Sequence, residues 1–214
     1  GDCLDMAIRG DLDLASCANS VLANYIPEMT ILDQAFLWDT AAQANYAVTH
    51  ELGELIQAKA NALGLHVIGY LESGFRDVFA TRAVDSMADF KGLKIRVMQN
   101  EGQLTAFTSF GANPIALSSS EQFTALQQGT IDAQENPFEV IYANRLYEQQ
   151  DYVILTNHLP ASHNLLISQV VYNGLSDTDK ELIMAVGKAA IQYSREQCDA
   201  RPIVTRLVEV SIVV

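Results

Sequence analysis

Arg96 and Asn136 are the residues whose type and setting point to chemistry. Arg96 stands near the end of Lys91-Gly92-Leu93-Lys94-Ile95-Arg96-Val97, where Leu93, Ile95 and Val97 face one way and Lys94 and Arg96 the other. Asn136 closes Gln134-Glu135-Asn136 just before Pro137. A planar guanidinium can grip a carboxylate through two parallel hydrogen bonds, which an ammonium cannot reproduce. Plainer roles stand beside these. A lone arginine is as readily a surface residue of an edge strand, and Asn before Pro is an ordinary helix N-cap, although a helix N-terminus also favours an anion. Arg76 sits in a Gly-Phe-Arg-Asp segment that reads as a loop, with Asp77 beside it. Phe36, Trp38 and Phe138 read as core rather than as stacking platforms for a ligand.

The elements that must position these residues follow from the pattern. After the strand at Leu93–Val97 comes a helix to Phe110 stopped by Gly111, then a strand at 113–117. A capping box, Ser118 with Glu121, opens a helix ending at Gly129, followed by a strand at 130–133 and a helix from Pro137 to Tyr147. Strand and helix alternating at this spacing predict a mostly parallel sheet, whose ligands sit outside the carboxyl ends of its strands. Arg96 and Asn136 both fall at such ends.

Upstream, a helix end at Arg9-Gly10 leads into a strand at 12–16. Asp39 is placed to cap one helix over 40–63, stopped by Gly64, and Leu65 to Leu71 reads as a strand. Glu72-Ser73-Gly74 is the candidate crossover between two lobes. Downstream, strands are expected at 152–156 and 165–172. Ser176, boxed with Asp179, starts a long helix running towards Cys198 with Leu182, Ile183, Val186, Ala190 and Tyr193 inward. The tail from Pro202 to Val214 is β-branched and has no assigned place.

Composition narrows the function. The chain has 214 residues, 49% of them hydrophobic, and a net charge of −13, which argues against nucleic acid, whose binding needs a basic face. No run of eighteen apolar residues occurs to span a membrane. Cys3, Cys17 and Cys198 form neither a disulfide framework nor a metal site, and His50, His66, His158 and His163 fit no metalloenzyme pattern. Without a nucleophile elbow or phosphate loop, a binding role without catalysis or cofactor is the better reading. Gly1 without a methionine is read as following a removed or missing upstream segment.

Several joined motifs carry a resemblance. Lys91-Gly92-Leu93-Lys94-Ile95-Arg96-Val97, Gly111-Ala112-Asn113-Pro114, Glu121 with Thr124-Ala125-Leu126-Gln127-Gln128-Gly129, Asp132-Ala133-Gln134-Glu135-Asn136-Pro137 and Thr156-Asn157-His158 resemble the DctP-type substrate-binding proteins of TRAP (tripartite ATP-independent periplasmic) transporters. The resemblance spans about residues 2–198. It implies a two-lobed, hinged α/β periplasmic-binding-protein fold, periplasmic or lipid-anchored, that closes on a small organic acid and delivers it to membrane permease subunits. By the same resemblance Arg96 clamps the carboxylate, Asn136 is the partner amide, Arg76 is a second pocket arginine, and Glu135 and His158 support them. Two places depart from the family's pattern: Ser119 stands where an aromatic is usual, and Gln34-Ala35-Phe36 replaces a Pro-Phe entrance. The family's first strand, helix and second strand fall before Gly1.

The expected lobes are 1–73 with about 162–199, and 74–161, leaving 200–214 unassigned. With Gln99, Asn100 and Ser119 offering a polar rim, the expected ligand is a sugar acid such as a hexuronate or aldonate, with a C4-dicarboxylate or keto acid next. The rival functions are a ligand sensor docking on a receptor, and an enzyme on a similar fold with His158 as base.

Overall fold

A computed structural model describes residues 2–199, and the β-branched tail lies outside them. In chain order the regular elements are α1 (Asp2–Arg9), β1 (Leu14–Ala18), α2 (Asn19–Leu22), α3 (Ala41–Val48), α4 (Glu51–Leu63), β2 (Leu65–Ala80), β3 (Lys94–Val97), α5 (Glu101–Ser109), β4 (Asn113–Ala116), α6 (Gln122–Gln127), β5 (Ala133–Asn136), α7 (Phe138–Ala143), β6 (Tyr152–Ser168), α8 (Gln169–Gly174) and α9 (Asp177–Asp199). The strands follow the order β1-β6-β2-β5-β3-β4. β3 runs parallel to both β4 and β5, as the alternating pattern requires, while β1 with β6 and β2 with β5 are antiparallel, so the sheet is mixed.

The chain divides into two compact units. One comprises Gly1–Leu32, Asp39–Ser73 and Ala161–Asp199; the other holds Asp33–Trp38 and Gly74–Pro160. In the second unit, strand alternation separates two cores. Val78 and Ala80 join Ile95, Val97, Phe90 and Phe107 in one cluster, whereas Phe79 between them packs with Leu126, Ile131, Ile141 and Leu146 in the other. Burying each such large aliphatic or aromatic side chain contributes about 1.5–3 kcal/mol. Five-residue β1 of the first unit pairs with β6 from Leu14↔Ile167 to Ala18↔His163.

Several local expectations are corrected. The helix expected over 40–63 is two helices. Thr40, not Asp39, caps α3 in a box with Gln43. At its far end Thr49 Oγ1 donates to the carbonyls of Asn45 and Tyr46, and His50 Nδ1 lies 2.7 Å from the Tyr46 carbonyl. Side chains thus take over the helix's last acceptors, and α4 restarts at Glu51. Gly53 makes the turn possible, because a Cβ there would lie 2.0 Å from the Val48 carbonyl oxygen.

Arg76 lies inside the long strand β2, not in a loop; Glu72, Ser73 and Gly74 belong to the same strand, with Gly74 taking φ +74°, and the boundary between the units falls between Ser73 and Gly74. The two strands expected at 152–156 and 165–172 are joined as β6, and its far end turns into α8. The strand expected at 130–133 is β5, which runs from Ala133 to Asn136. Asn136 is therefore its last residue, and Pro137 takes the N-cap position of α7, which ends at Ala143.

The expected inner face of α9 is also corrected: Leu182, Val186 and Tyr193 are about 60% exposed. The helix approaches β2 through glycines instead. A Cβ on Gly187 would meet Ile68 at 2.1 Å, and one on Gly69 would meet Ile191 at 2.2 Å. Each glycine leaves room for an isoleucine side chain of the other element, and that fit selects the buried face. Ser176 and Asp179 cap it as expected.

Candidate functional site

Arg96, Asn136, Arg76, Glu135 and His158 all lie in the second unit, on strands β3, β5, β2 and β6. The register explains their meeting. Arg96 stands opposite Gln134, and Asp77 opposite Asn136, which leaves Arg76 opposite the residue just beyond the end of β5. From there its guanidinium reaches Glu135 and Asn136 together, although successive strand residues point to opposite faces. Nε donates to Glu135 Oε2; Nη2 donates to Glu135 Oε1 at 2.9 Å, to the Glu135 carbonyl at 2.7 Å and to Asn136 Oδ1 at 3.0 Å. His158 Nε2 lies 3.3 Å from Glu135 Oε2, and its Nδ1 lies 2.8 Å from Thr156 Oγ1. The His158 ring meets Phe107 edge-on at 5.4 Å.

Glu135 is fully buried. Burial alone would raise its pKa, but the charge on Arg76 and the hydrogen bonds from His158 and Arg76 override this and hold it at about 2. The anion is therefore permanent and is matched by Arg76. Arg96 is different. Also buried, it donates from Nε and Nη2 to one neutral acceptor, the Leu117 carbonyl, at 2.9 and 2.7 Å. No carboxylate among the described residues pairs with it. Burial pulls its pKa down to about 10; the field of Glu135 opposes that fall and Arg76 adds to it, so the group stays cationic near neutrality.

The remaining candidates lie on the adjoining turns. Gln99, exposed, and Asn100, buried, follow β3 after Met98, and Asn100 uses its side-chain carbonyl to cap α5, accepting from Gln103 N–H at 3.2 Å. Ser119, exposed, opens the turn before α6 within the Ser118–Glu121 capping box. Asp77 accepts the Asn157 N–H at 2.7 Å. Phe36, expected in the core, is 58% exposed. Its φ of +60° turns the side chain out, while its N–H donates to the His158 carbonyl at 2.8 Å.

Sequence reasoning missed the glutamines behind Asn136. Gln122, Gln134 and Gln150 are buried and hydrogen-bonded to one another's neighbours in a continuous set. The sequence carried no signal for them, because Gln122 follows Ser118-Ser119-Ser120-Glu121 and Gln150 lies in Glu148-Gln149-Gln150-Asp151, polar runs that read as surface.

The described residues thus form a mixed α/β sheet in which Arg96, buried near the carboxyl end of a parallel strand, donates to a neutral backbone carbonyl. The chain belongs to the DctP family, described as bacterial extracellular solute-binding protein, family 7, which matches residues 1–202. It is 34% identical over 188 residues to the 2,3-diketo-L-gulonate-binding periplasmic protein YiaO of Escherichia coli (strain K12), covering 87% of this chain and 57% of that protein. The chain thus spans less than two thirds of that relative. A TRAP periplasmic solute-binding protein from Bordetella bronchispeptica, with density assigned as pantoate, superposes with a TM-score of 0.93 at 35% identity over 98% of this chain and 71% of that one. The sugar acid binding protein DctPAm from Advenella mimigardefordensis strain DPN7T, in complex with galactonate, gives 0.93 at 30% identity, covering 98% and 69%.

Proposed function

We propose that the chain belongs to an extracytoplasmic solute-binding protein that captures a sugar acid, a hexuronate or aldonate, and delivers it to a TRAP membrane permease without altering it. In this reading Arg96 takes the carboxylate, Asn136 orients the acid, and Arg76 stands behind Asn136, held by Glu135 and His158. Gln99, Asn100 and Ser119 supply polar groups around them. One observation carries the reading: Arg96 is buried and cationic, yet among the described residues its guanidinium donates to a neutral carbonyl. An isolated buried charge is costly, and a ligand carboxylate offsets that cost through two-point hydrogen bonds. The sugar acids named for the Escherichia coli and Advenella proteins support the ligand class.

Calorimetric titration with galactonate tests it. Truncating one partner of a buried charged pair costs about 2–5 kcal/mol, so Arg96→Ala should weaken binding by roughly one and a half to three and a half decades. Arg96→Lys should lose at least about tenfold, because charge remains but the fork does not. Parent-like affinity in Arg96→Ala would place the carboxylate elsewhere, and recovery of a chemically altered acid would favour an enzyme.

A further inference from the structure

One peptide group stands between Arg96 and Glu121. It joins Leu117 to Ser118, in the turn that leads from β4 to α6. Its carbonyl accepts from Arg96 Nε at 2.9 Å and Nη2 at 2.7 Å, and its N–H donates to Glu121 Oε2 at 2.9 Å. A trans peptide is planar, with N–H and C=O on opposite sides, so the two ends swing together. Whatever holds the N–H therefore aims the carbonyl. Glu121 is itself held, because Ser118 Oγ donates to the same Oε2 at 2.5 Å. The preceding peptide is tied to β3 through Leu117 N–H, which donates to the Val97 carbonyl at 3.3 Å. Cation, peptide dipole and anion thus lie in series, each polarising the next. The hydrogen bonds from Ser118 lower the Glu121 pKa, and the charge on Arg96 adds to the fall.

Arg96 is thereby left with one end for a ligand. A guanidinium carries five N–H donors. The Leu117 carbonyl takes the one on Nε and one of the two on Nη2. What remains for a carboxylate is the Nη1–Nη2 end, where two parallel N–H groups form a fork. Were the peptide to turn, the guanidinium would lose the acceptor that fixes its plane, and the fork would lose its aim. We propose that Glu121 is a positioning residue: by holding the Leu117–Ser118 peptide it keeps the Nη1–Nη2 end of Arg96 turned to the carboxylate of the acid. This role rests on the reading of Arg96 as the carboxylate clamp and adds the residue that aims it.

The test is calorimetric titration of the wild-type chain, Glu121→Ala, Glu121→Gln and Ser118→Pro with D-galactonate and with D-galactonamide, the neutral amide of the same acid. In the wild type the acid should bind at least about tenfold more tightly, because the amide lacks the charge and the second acceptor oxygen. Glu121→Ala releases the peptide, and that preference should fall by about threefold or more, the coupling expected within one hydrogen-bond network. Glu121→Gln still accepts from the Ser118 N–H and should keep the preference to within about twofold. Ser118→Pro removes that N–H and keeps the turn, since Ser118 already takes φ −63°, close to the value proline imposes; here the preference should fall as in Glu121→Ala. A cap that served α6 alone would weaken both compounds by one common factor, so an unchanged preference in Glu121→Ala overturns the positioning role. A loss in Glu121→Gln as large as in Glu121→Ala overturns it too. Should Glu121→Ala not fold, Ser118→Pro decides by the same ratio. These outcomes leave the organic-acid reading standing, whereas a wild type that binds the amide as well as the acid, or binds neither, ends both.

Discussion

The Arg76 guanidinium clasps both carboxylate oxygens of Glu135, and neither residue is open to solvent. Breaking such a pair on one side strands the other charge, at a cost of about 3–5 kcal/mol. Arg76→Met is expected to lower unfolding free energy by that amount in urea titrations, and Arg76→Met with Glu135→Leu should recover a substantial part. If the double variant is no more stable than the single one, the pair is not what holds this region.

The same pair makes stability depend on acid. Glu135 has its pKa depressed from 4.5 to about 2, because Arg76 and His158 outweigh its burial. The unfolded chain therefore takes up this proton first as pH falls. The stabilisation, on the order of 3 kcal/mol, is complete above the unfolded pKa and is lost progressively as pH falls towards the folded one. Urea midpoints followed from about 4.5 down to about 2 should fall more steeply in the parent than in Glu135→Gln. Parallel slopes would show that Glu135 is not the group responsible.

Gly53 sets two effects against each other. Ala is the better helix former by about 1 kcal/mol, so propensity alone makes Gly53→Ala stabilising. The added Cβ would stand 2.0 Å from the Val48 carbonyl oxygen, a backbone atom that cannot rotate away. The clash should win, with a net loss of roughly 1–3 kcal/mol in thermal or urea unfolding. A variant as stable as the parent would mean that the α3–α4 turn opens freely.

The cysteines should separate by reactivity. Cys3 is exposed, whereas burial pushes the Cys17 thiol up to about 11, leaving almost no thiolate in mildly alkaline buffer. A thiol-exchange reagent should modify Cys3 quickly and reach Cys17 only on unfolding. A fast phase that disappears in Cys17→Ser would contradict the burial.

What the sequence determined by itself is the set of local, strongly patterned features. The alternation around Arg96, the Ser118–Glu121 and Ser176–Asp179 capping boxes and the glycine stops specify strands and helix ends through contacts within a few residues. They were enough to place Arg96 at a strand end and Asn136 just past one, and the joined motifs were enough to indicate the family. Tertiary structure decided the rest. Asn136 ends a strand instead of capping a helix, because pairing with β2 extends β5 through it. Leu182, Val186 and Tyr193 face outward because the helix packs where Gly187 and Gly69 admit the Ile68 and Ile191 side chains. The direction of the Asn136 amide is set by Arg76, 60 residues distant. Hydrophobic period reports only which faces can be buried. Which partner they meet, and which way a buried dipole points, depends on contacts that exist only once distant strands have paired.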